Sequence, residues 1–276
     1  MKRYFLFPVL AIAMATTGCG QRGASTSADP TAGFAVDSLQ LADSTVFEGS
    51  TAAVSMRLVY PSGSDAAADS MRLWLADVMA SASTNYGAPQ VFSLEQANQL
   101  PAVARTVTDS LLKVAQRDFA ELAGVNTREM FYSFDYNADT LAVTPSYVTI
   151  QFSGYTFTGG AHGSFYILPA VFTRPEGHQL TWADLVAPDR KAELLGMIRR
   201  ALMEQYFDVS IDEAFAEVLL VKPDEITLPV AGPALSPEGL HVIYQQYEIA
   251  PYACGMPSCI IPMEDLRPLL NPSLRL

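Results

Sequence analysis

The chain has 276 residues, of which 50% are hydrophobic and 17% charged, and its formal net charge is −12 at pH 7. This composition excludes a disordered, collagenous or coiled-coil protein, and the length allows one large domain or two smaller ones. The excess of acidic residues argues against nucleic acid or an anionic membrane surface as a binding partner.

The N-terminus has the pattern of an export signal. Lys2 and Arg3 precede an apolar run over residues 4–15, and small residues at 16–18 precede Cys19. A run of about a dozen residues is too short for a membrane-spanning helix, which needs about 20. Residues 1–18 are therefore predicted to be a signal peptide.

Two fates of Cys19 are open. Small residues before a cysteine resemble the processing signal of bacterial lipoproteins, and lipidation of Cys19 predicts a cell-envelope protein that faces the periplasm or the exterior and touches the membrane only through its lipid. The alternative is ordinary cleavage after Ala13-Met14-Ala15, which leaves Cys19 as a free thiol.

The segment after Cys19 has the composition of a linker. Residues 20–33 are small and polar, with interspersed Gly and Pro, so residues 19–40 are predicted to be a flexible tether. Removal of Lys2 and Arg3 leaves 15 of the 17 basic residues against 29 acidic ones, a net charge of −14. The exported protein is expected to be distinctly acidic.

Helices are predicted from apolar residues at helical spacing. This spacing favours helices over residues 65–81 and 102–122, and another after Pro188-Asp189. Ser210-Ile211-Asp212-Glu213 has the pattern of a capping box that opens a short helix through Leu219.

Strands are predicted over residues 147–157, 164–173 and 240–247, which are rich in alternating, β-branched or aromatic residues. Gly154 is expected to mark a bulge, since the aromatic phase shifts just after it. Pro169 indicates an edge position.

These elements predict an α+β fold, with helices packed on an antiparallel sheet. Cys254 and Cys259 form an even pair that an oxidising compartment would join as a disulfide if their Cα atoms lie within about 7 Å. The alternative is two reduced thiols.

The loop between the two central strands is the segment that best fits a binding site. Gly159, Gly160 and Gly163 allow positive φ and close approach of a ligand, and His162 lies at the tip of the same loop. The simpler interpretation is a glycine-rich hairpin whose histidine bonds the neighbouring backbone.

Three segments resemble one known family. They are Tyr155-Thr156-Phe157-Thr158-Gly159-Gly160-Ala161-His162-Gly163, then Gly177-x-x-Leu180-x-x-x-Asp184-Leu185, then Tyr247-Glu248-Ile249-Ala250-Pro251-Tyr252-Ala253-x-Gly255. In this order, over residues 147–276, they resemble the domain of unknown function 3298 family. That family includes the exported module of the lysozyme-responsive anti-sigma-V factor and part of a peptidoglycan deacetylase.

The resemblance implies two sequential α+β subdomains, at 41–146 and 147–276, that form an envelope-facing binding module, with lysozyme or cell-wall glycan as the ligands of relatives. It adds Tyr247, Glu248 and Tyr252 to the predicted binding residues. Glu248 has a structural alternative, in which it accepts bonds from backbone N–H groups, with those of the Gly159-Gly160 loop as candidate donors. Only three residues precede the apolar run, so control of a sigma factor by this chain alone is not expected.

No complete catalytic motif is present. His162, His178 and His241 lie far apart in the sequence and in no metal-binding spacing, so neither a metal nor a cofactor is predicted. We therefore expect a non-catalytic binding or sensing module for lysozyme or another cationic protein. The alternative is a protein that binds or modifies peptidoglycan or another polysaccharide.

Overall fold

The computed structural model describes residues 34–84, 90–123, 125, 128–274 and 276. Its main element is a six-stranded sheet in the order β1-β2-β3-β4-β5-β6. The strands are β1 (Val36–Phe47), β2 (Ser50–Pro61), β3 (Phe131–Val143), β4 (Tyr147–Phe157), β5 (Ser164–Thr173) and β6 (Gln179–Leu180). All neighbouring pairs are antiparallel except β2 and β3.

Helices connect the parallel pair. The chain leaves β2 and runs through α1 (Ala66–Thr84), α2 (Leu94–Ala97) and α3 (Leu100–Leu122) before it enters β3. A parallel pair needs such a crossover, since a hairpin turn can join only antiparallel strands.

The first hydrophobic core lies between these helices and one face of the sheet. The alternating inward residues of β2 are Ala52, Val54, Met56 and Leu58, and those of β3 include Phe134 and Tyr136. α1 and α3 cover them with the buried residues Met71, Leu75, Val107, Leu111 and Phe119. This layer follows from period-2 burial in the strands and helical-period burial in the helices.

The C-terminal part contains several short elements. α4 (Trp182–Leu185) is followed by a 3₁₀ turn (Pro188–Arg190), α5 (Lys191–Leu202), a π-helical turn (Met203–Phe207), α6 (Asp212–Glu217) and a 3₁₀ turn (Pro223–Glu225). A three-stranded antiparallel sheet of β7 (Ala234–Leu235), β8 (Gly239–Ile243) and β9 (Ser258–Pro262) follows, with a 3₁₀ turn (Tyr252–Cys254) before β9. The chain ends with α7 (Met263–Leu266) and a 3₁₀ turn (Arg267–Leu269).

A second core joins this part to the other face of the large sheet. Tyr147 and Val171 of the large sheet share this core with Ile198 of α5 and Val242 of β8. Thr149 Oγ1 donates a 2.6 Å hydrogen bond to the carbonyl of Leu235, in a buried position. One end of β4 and β5 is therefore covered on both faces.

The predicted α+β class is confirmed, and helices occur where the spacing predicted them at 65–81, 102–122 and after Pro188. β4 and β5 match the predicted strands at 147–157 and 164–173 residue for residue. The strand predicted over 240–247 is shorter, since β8 ends at Ile243. Pro169 pairs with β4 on one side only, because the two-residue β6 on the other side pairs with Val171 and Phe172 and does not reach it.

The bulge predicted at Gly154 is wrong. The β4–β5 register passes through Gly154↔Tyr166 without a break, and the shift lies in β3, between Thr140 and Ala142. Gly154 serves a different purpose, since a Cβ there would collide with the ring of Tyr166.

The predicted capping box at Ser210 is also wrong. α6 begins after Ile211, which has no side chain able to cap, and no side-chain cap bond forms there. A capping box is present instead at α4, where the side chains of Thr181 and Asp184 bond each other's backbone N–H groups.

The predicted tether overlaps the first strand, and the predicted domain boundary lies within the large sheet. β1 begins at Val36, so residues 36–40 of the predicted tether are a strand. The boundary at 146/147 falls in the turn between β3 and β4, which pair within one sheet. The division into two subdomains stays a prediction.

The predicted disulfide between Cys254 and Cys259 is not formed, and both cysteines are free. Cys259 lies within β9 with its side chain buried in the second core, near the carbonyl of Ile198. Cys254 closes a half-buried 3₁₀ turn beside Tyr206, whose hydroxyl donates to the Cys254 carbonyl. Cys254 also packs against the second core, so the two cysteines border the same core without being bonded to each other.

The predicted signal peptide, Cys19 and most of the tether lie outside the described residues. Within those residues, no helix combines the length and apolarity needed to cross a bilayer.

Candidate binding site

The glycine-rich loop is exposed, as the sequence predicted. Gly159 and Gly160 have φ values of +91° and +90°, and a Cβ on either would meet nothing within 4 Å. The positive φ values disfavour residues other than glycine at these two positions, although there is room for a side chain. Gly163 differs, because it is buried and a Cβ there would meet the ring of Tyr155 at 2.5 Å.

His162 lies at the end of this loop and contacts two tyrosines. Its ring stacks on that of Tyr252, with centroids 3.8 Å apart and an interplanar angle of 20°. Its Nε2 lies 3.4 Å from the hydroxyl of Tyr247. We call these three residues the ring site.

One tautomer of neutral His162 satisfies every contact. Nδ1 lies 3.1 Å from the carbonyl of Gly163, which can only accept, so Nδ1 carries the hydrogen. Nε2 then accepts from Tyr247. The Gly163 carbonyl also accepts a 3.0 Å bond from the hydroxyl of Tyr252, using its second lone pair.

Tyr247 has a strained backbone. Its φ is +64°, which is uncommon for a residue with a large side chain, and the side chain remains 55% exposed. Left-handed geometry costs about 1–2 kcal/mol outside glycine. Such strain persists only where surrounding contacts fix the turn.

Glu248 supplies these contacts. Its Oε2 accepts a 2.7 Å bond from the N–H of Gln245, and its Oε1 accepts a 2.7 Å bond from the N–H of Val230. The structural alternative for Glu248 is confirmed, although its donors are not in the Gly159-Gly160 loop. Glu248 thus holds the turn that presents Tyr247, and its role in ligand binding stays a prediction.

Two glutamines attach this turn to the edge of β5. The amide of Gln245 donates to the carbonyl of Ile167 at 2.8 Å and accepts from its N–H at 3.1 Å, as a paired strand would. Gln246 Oε1 accepts a 2.9 Å bond from the N–H of Phe165. The sequence does not predict these two residues, because side-chain pairing with a strand edge has no recognisable spacing.

Further aromatic side chains border the ring site. Tyr155 and Phe165 face each other across β4 and β5, and each is 36% exposed. Tyr244, in contrast, is fully buried in the second core, and its hydroxyl donates a 2.7 Å bond to the Thr227 carbonyl. Burial raises its pKa above the ordinary range. Tyr244 is thus a core residue.

The other two histidines lie away from the ring site. His241 Nε2 lies 2.9 Å from Ser236 Oγ, a pairing typical of a nucleophile and its base. Burial lowers the pKa of His241. However, Ser236 is only 8% exposed, and its Oγ already accepts from the N–H of Glu238 within the β7–β8 turn. The pair therefore stabilises this turn.

His178 pairs with Asp184 at 3.5 Å on the surface beside α4. Within the described part of the chain, no three histidine, cysteine or acidic side chains lie close enough together to hold a metal ion.

Comparison with known proteins gave one family and several solved structures. A family described as protein of unknown function (DUF3298) matches residues 183–264. A crystal structure of a DUF3298 family member from Bacteroides fragilis is 18% identical, with a TM-score of 0.69, and one from Pseudomonas aeruginosa is 19% identical, with a TM-score of 0.57. Each alignment covers 88% of this chain and 96% of the other. The search among curated proteins gave no match.

The matched segment supplies only part of the site. Tyr247 and Tyr252 lie within residues 183–264, whereas His162 lies before it, on the loop between β4 and β5. At these identities the solved structures show a shared fold and carry no residue roles to this chain.

Proposed function

This chain is a DUF3298-family protein by its segment 183–264, and from that premise we propose that it is a non-catalytic binding module of the bacterial cell envelope. The ring site is its ligand surface. The observation that carries the proposal is the exposed, hydrogen-bonded cluster of His162, Tyr247 and Tyr252 on a strained turn.

The location is part of the same proposal. It rests on the export pattern of residues 1–18 and on Cys19 as the lipidated residue. Mass spectrometry of the N-terminal peptide tests it. A lipid on Cys19 is the expected result, and an unmodified Cys19 on a cytosolic product contradicts it.

The ligand we propose first is a cationic protein such as lysozyme. A body with a net charge of −14 accelerates association with a basic partner through long-range attraction, which salt weakens. Exposed tyrosines are typical anchors of protein interfaces.

Calorimetric titration with lysozyme at low and high salt tests this ligand. We expect measurable heat, with weaker binding at high salt. Tyr247→Ala should reduce the affinity at least tenfold, and Ile211→Ala is the matched control, because Ile211 is 57% exposed on a different segment. His162→Ala should weaken binding and shift the melting temperature by only a few degrees. No heat at either salt contradicts the lysozyme proposal.

A cell-wall glycan is the second candidate. It is favoured by the four exposed or partly exposed rings of Tyr155, Phe165, Tyr247 and Tyr252, since stacking on aromatic rings needs no charge. Purified muropeptides incubated with the protein test it: retention that Tyr247→Ala abolishes supports binding, and turnover would instead indicate an enzyme. A result that shows no retention and no turnover contradicts this candidate.

A further inference from the structure

β1 is an unprotected edge of the large sheet. It pairs with β2 without interruption from Val36↔Pro61 to Phe47↔Ser50, and no described strand pairs with its other side. Natural edge strands usually contain lysine, proline or a bulge that prevents a further strand from adding. β1 has none of these over its 12 residues.

The backbone groups that point away from β2 can be assigned. The Ala35 carbonyl accepts from the N–H of Ser62, so the odd-numbered residues of β1 bond β2. The N–H of Ser44 instead bonds the side chain of Asp43 at 2.8 Å. The even-numbered residues from Val36 to Val46 therefore direct their N–H and C=O groups outward.

We propose that this edge is a homodimer interface, in which β1 of a second copy adds antiparallel, with Leu41 opposite Leu41 on the two-fold axis. Outward-facing residues then meet outward-facing residues, as an antiparallel ladder requires. Gln40 lies opposite Ala42, and Ser38 lies opposite Ser44.

The sequence of β1 matches itself in this register. Val36 and Val46 are 46% and 67% exposed in the single chain, and each lies opposite the other in the dimer. Cross-strand contact between such β-branched side chains stabilises a sheet. The dimer thus covers both exposed valines of the strand.

Charge disfavours the neighbouring registers. With the axis at Leu41, Asp37 faces Thr45 and Asp43 faces Leu39. An axis at Gln40 places Asp37 opposite Asp43, and an axis at Asp43 places this residue opposite its own copy. Like charges directly opposite each other destabilise a sheet.

A register with the axis at Ala42 avoids this repulsion. However, it places Val46 opposite Ser38 and Val36 opposite Glu48, so neither valine gains an apolar partner. A second copy in the Leu41 register is therefore the occupant that fits the edge best.

Sedimentation velocity of the full chain in a mild detergent tests the dimer. Ala42→Pro removes an outward N–H and leaves the β1–β2 bonds in place, a position where edge strands tolerate proline. Ala42→Ser keeps the N–H and is the matched control. We expect a dimer for the wild type and for Ala42→Ser. For Ala42→Pro we expect a monomer that remains folded, with the circular dichroism spectrum of the wild type.

Cysteine cross-linking tests the register without relying on proline. Hydrogen-bonded antiparallel pairs have Cα atoms about 5.5 Å apart, within the range for a disulfide. The double variant Ser38→Cys, Ser44→Cys should form a covalent dimer under mild oxidation. Ser38→Cys alone should not, because its two copies lie about 20 Å apart along the strands. The proposal is overturned if the wild type stays monomeric at the highest concentration reached and the double variant forms no cross-link. It is also overturned if a peptide of another protein occupies the β1 edge.

Discussion

Removing the carboxylate of Glu248 tests whether this residue holds the turn that presents Tyr247. In Glu248→Ala, the N–H groups of Gln245 and Val230 both lose their acceptor. The bond to Gln245 is partly buried, whereas the bond to Val230 is exposed and water can replace it. The cost therefore comes mainly from Gln245. A partly buried N–H that loses a charged acceptor costs about 1–3 kcal/mol.

The conservative variant should cost less. Glu248→Gln keeps one acceptor oxygen, which can still serve Gln245, so its cost is expected to be below about 1 kcal/mol. Glu264→Ala is the control, because Glu264 is an exposed carboxylate on α7 and such changes usually stay within about 0.5 kcal/mol.

Urea unfolding at neutral pH measures these differences, and thermal unfolding provides a second estimate. A loss of 1–3 kcal/mol corresponds to roughly 2–12 °C in a domain of this size. The order Glu248→Ala, then Glu248→Gln, then Glu264→Ala, from least to most stable, is expected. A Glu248→Ala protein as stable as the Glu264→Ala control refutes the assigned role.

Three further results are expected. Tyr247→Gly relieves the left-handed strain at φ +64°, so this variant should be as stable as the wild type or more stable by up to about 1 kcal/mol, and it should lose ligand binding. A clear loss of stability contradicts this. The bonds from the Thr181 side chain and backbone lower the pKa of Asp184. In urea unfolding, the small excess stability of the wild type over Asp184→Asn should therefore be complete above about pH 4 and disappear in more acidic solution. A stability difference that does not change with pH argues against this. Burial raises the pKa of Cys259 to about 12, so a water-soluble maleimide should label Cys254 first and Cys259 only after unfolding. If neither cysteine reacts until a reductant is added, the two are joined as a disulfide and this expectation is wrong.

The fold was predictable where one face of an element is buried. β4 alternates between the first core and the opposite face, and α3 presents one buried stripe, so simple periodicity identified both. β1 was missed because it is exposed along most of its length and gives little alternation. β2 and β3 were also missed, although their burial alternates, so burial of one face was not sufficient for every strand. The parallel pairing of β2 and β3 also gave no local signal, since it depends on how three helices return the chain.

The candidate site was predictable only in part. Gly159, Gly160 and His162 were visible as a local pattern, and Tyr247 and Tyr252 came from a resemblance. The contact between these segments depends on Gln245, whose amide bonds Ile167 across 78 positions of sequence. Cys254 and Cys259 illustrate the opposite case, where an even pair at short spacing suggested a disulfide but the structure leaves both thiols free.

The glutamine contacts between the Tyr247 turn and β5 make recognition a property of the assembled molecule. The ring site has two parts: His162 lies on the loop after β4, and Tyr247 and Tyr252 lie on the chain that leaves β8. A ligand that touches both halves is thermodynamically linked to their docking, so it should raise the cooperativity of unfolding as well as the midpoint. Conversely, a core mutation distant from any ring could abolish recognition merely by letting the two halves separate.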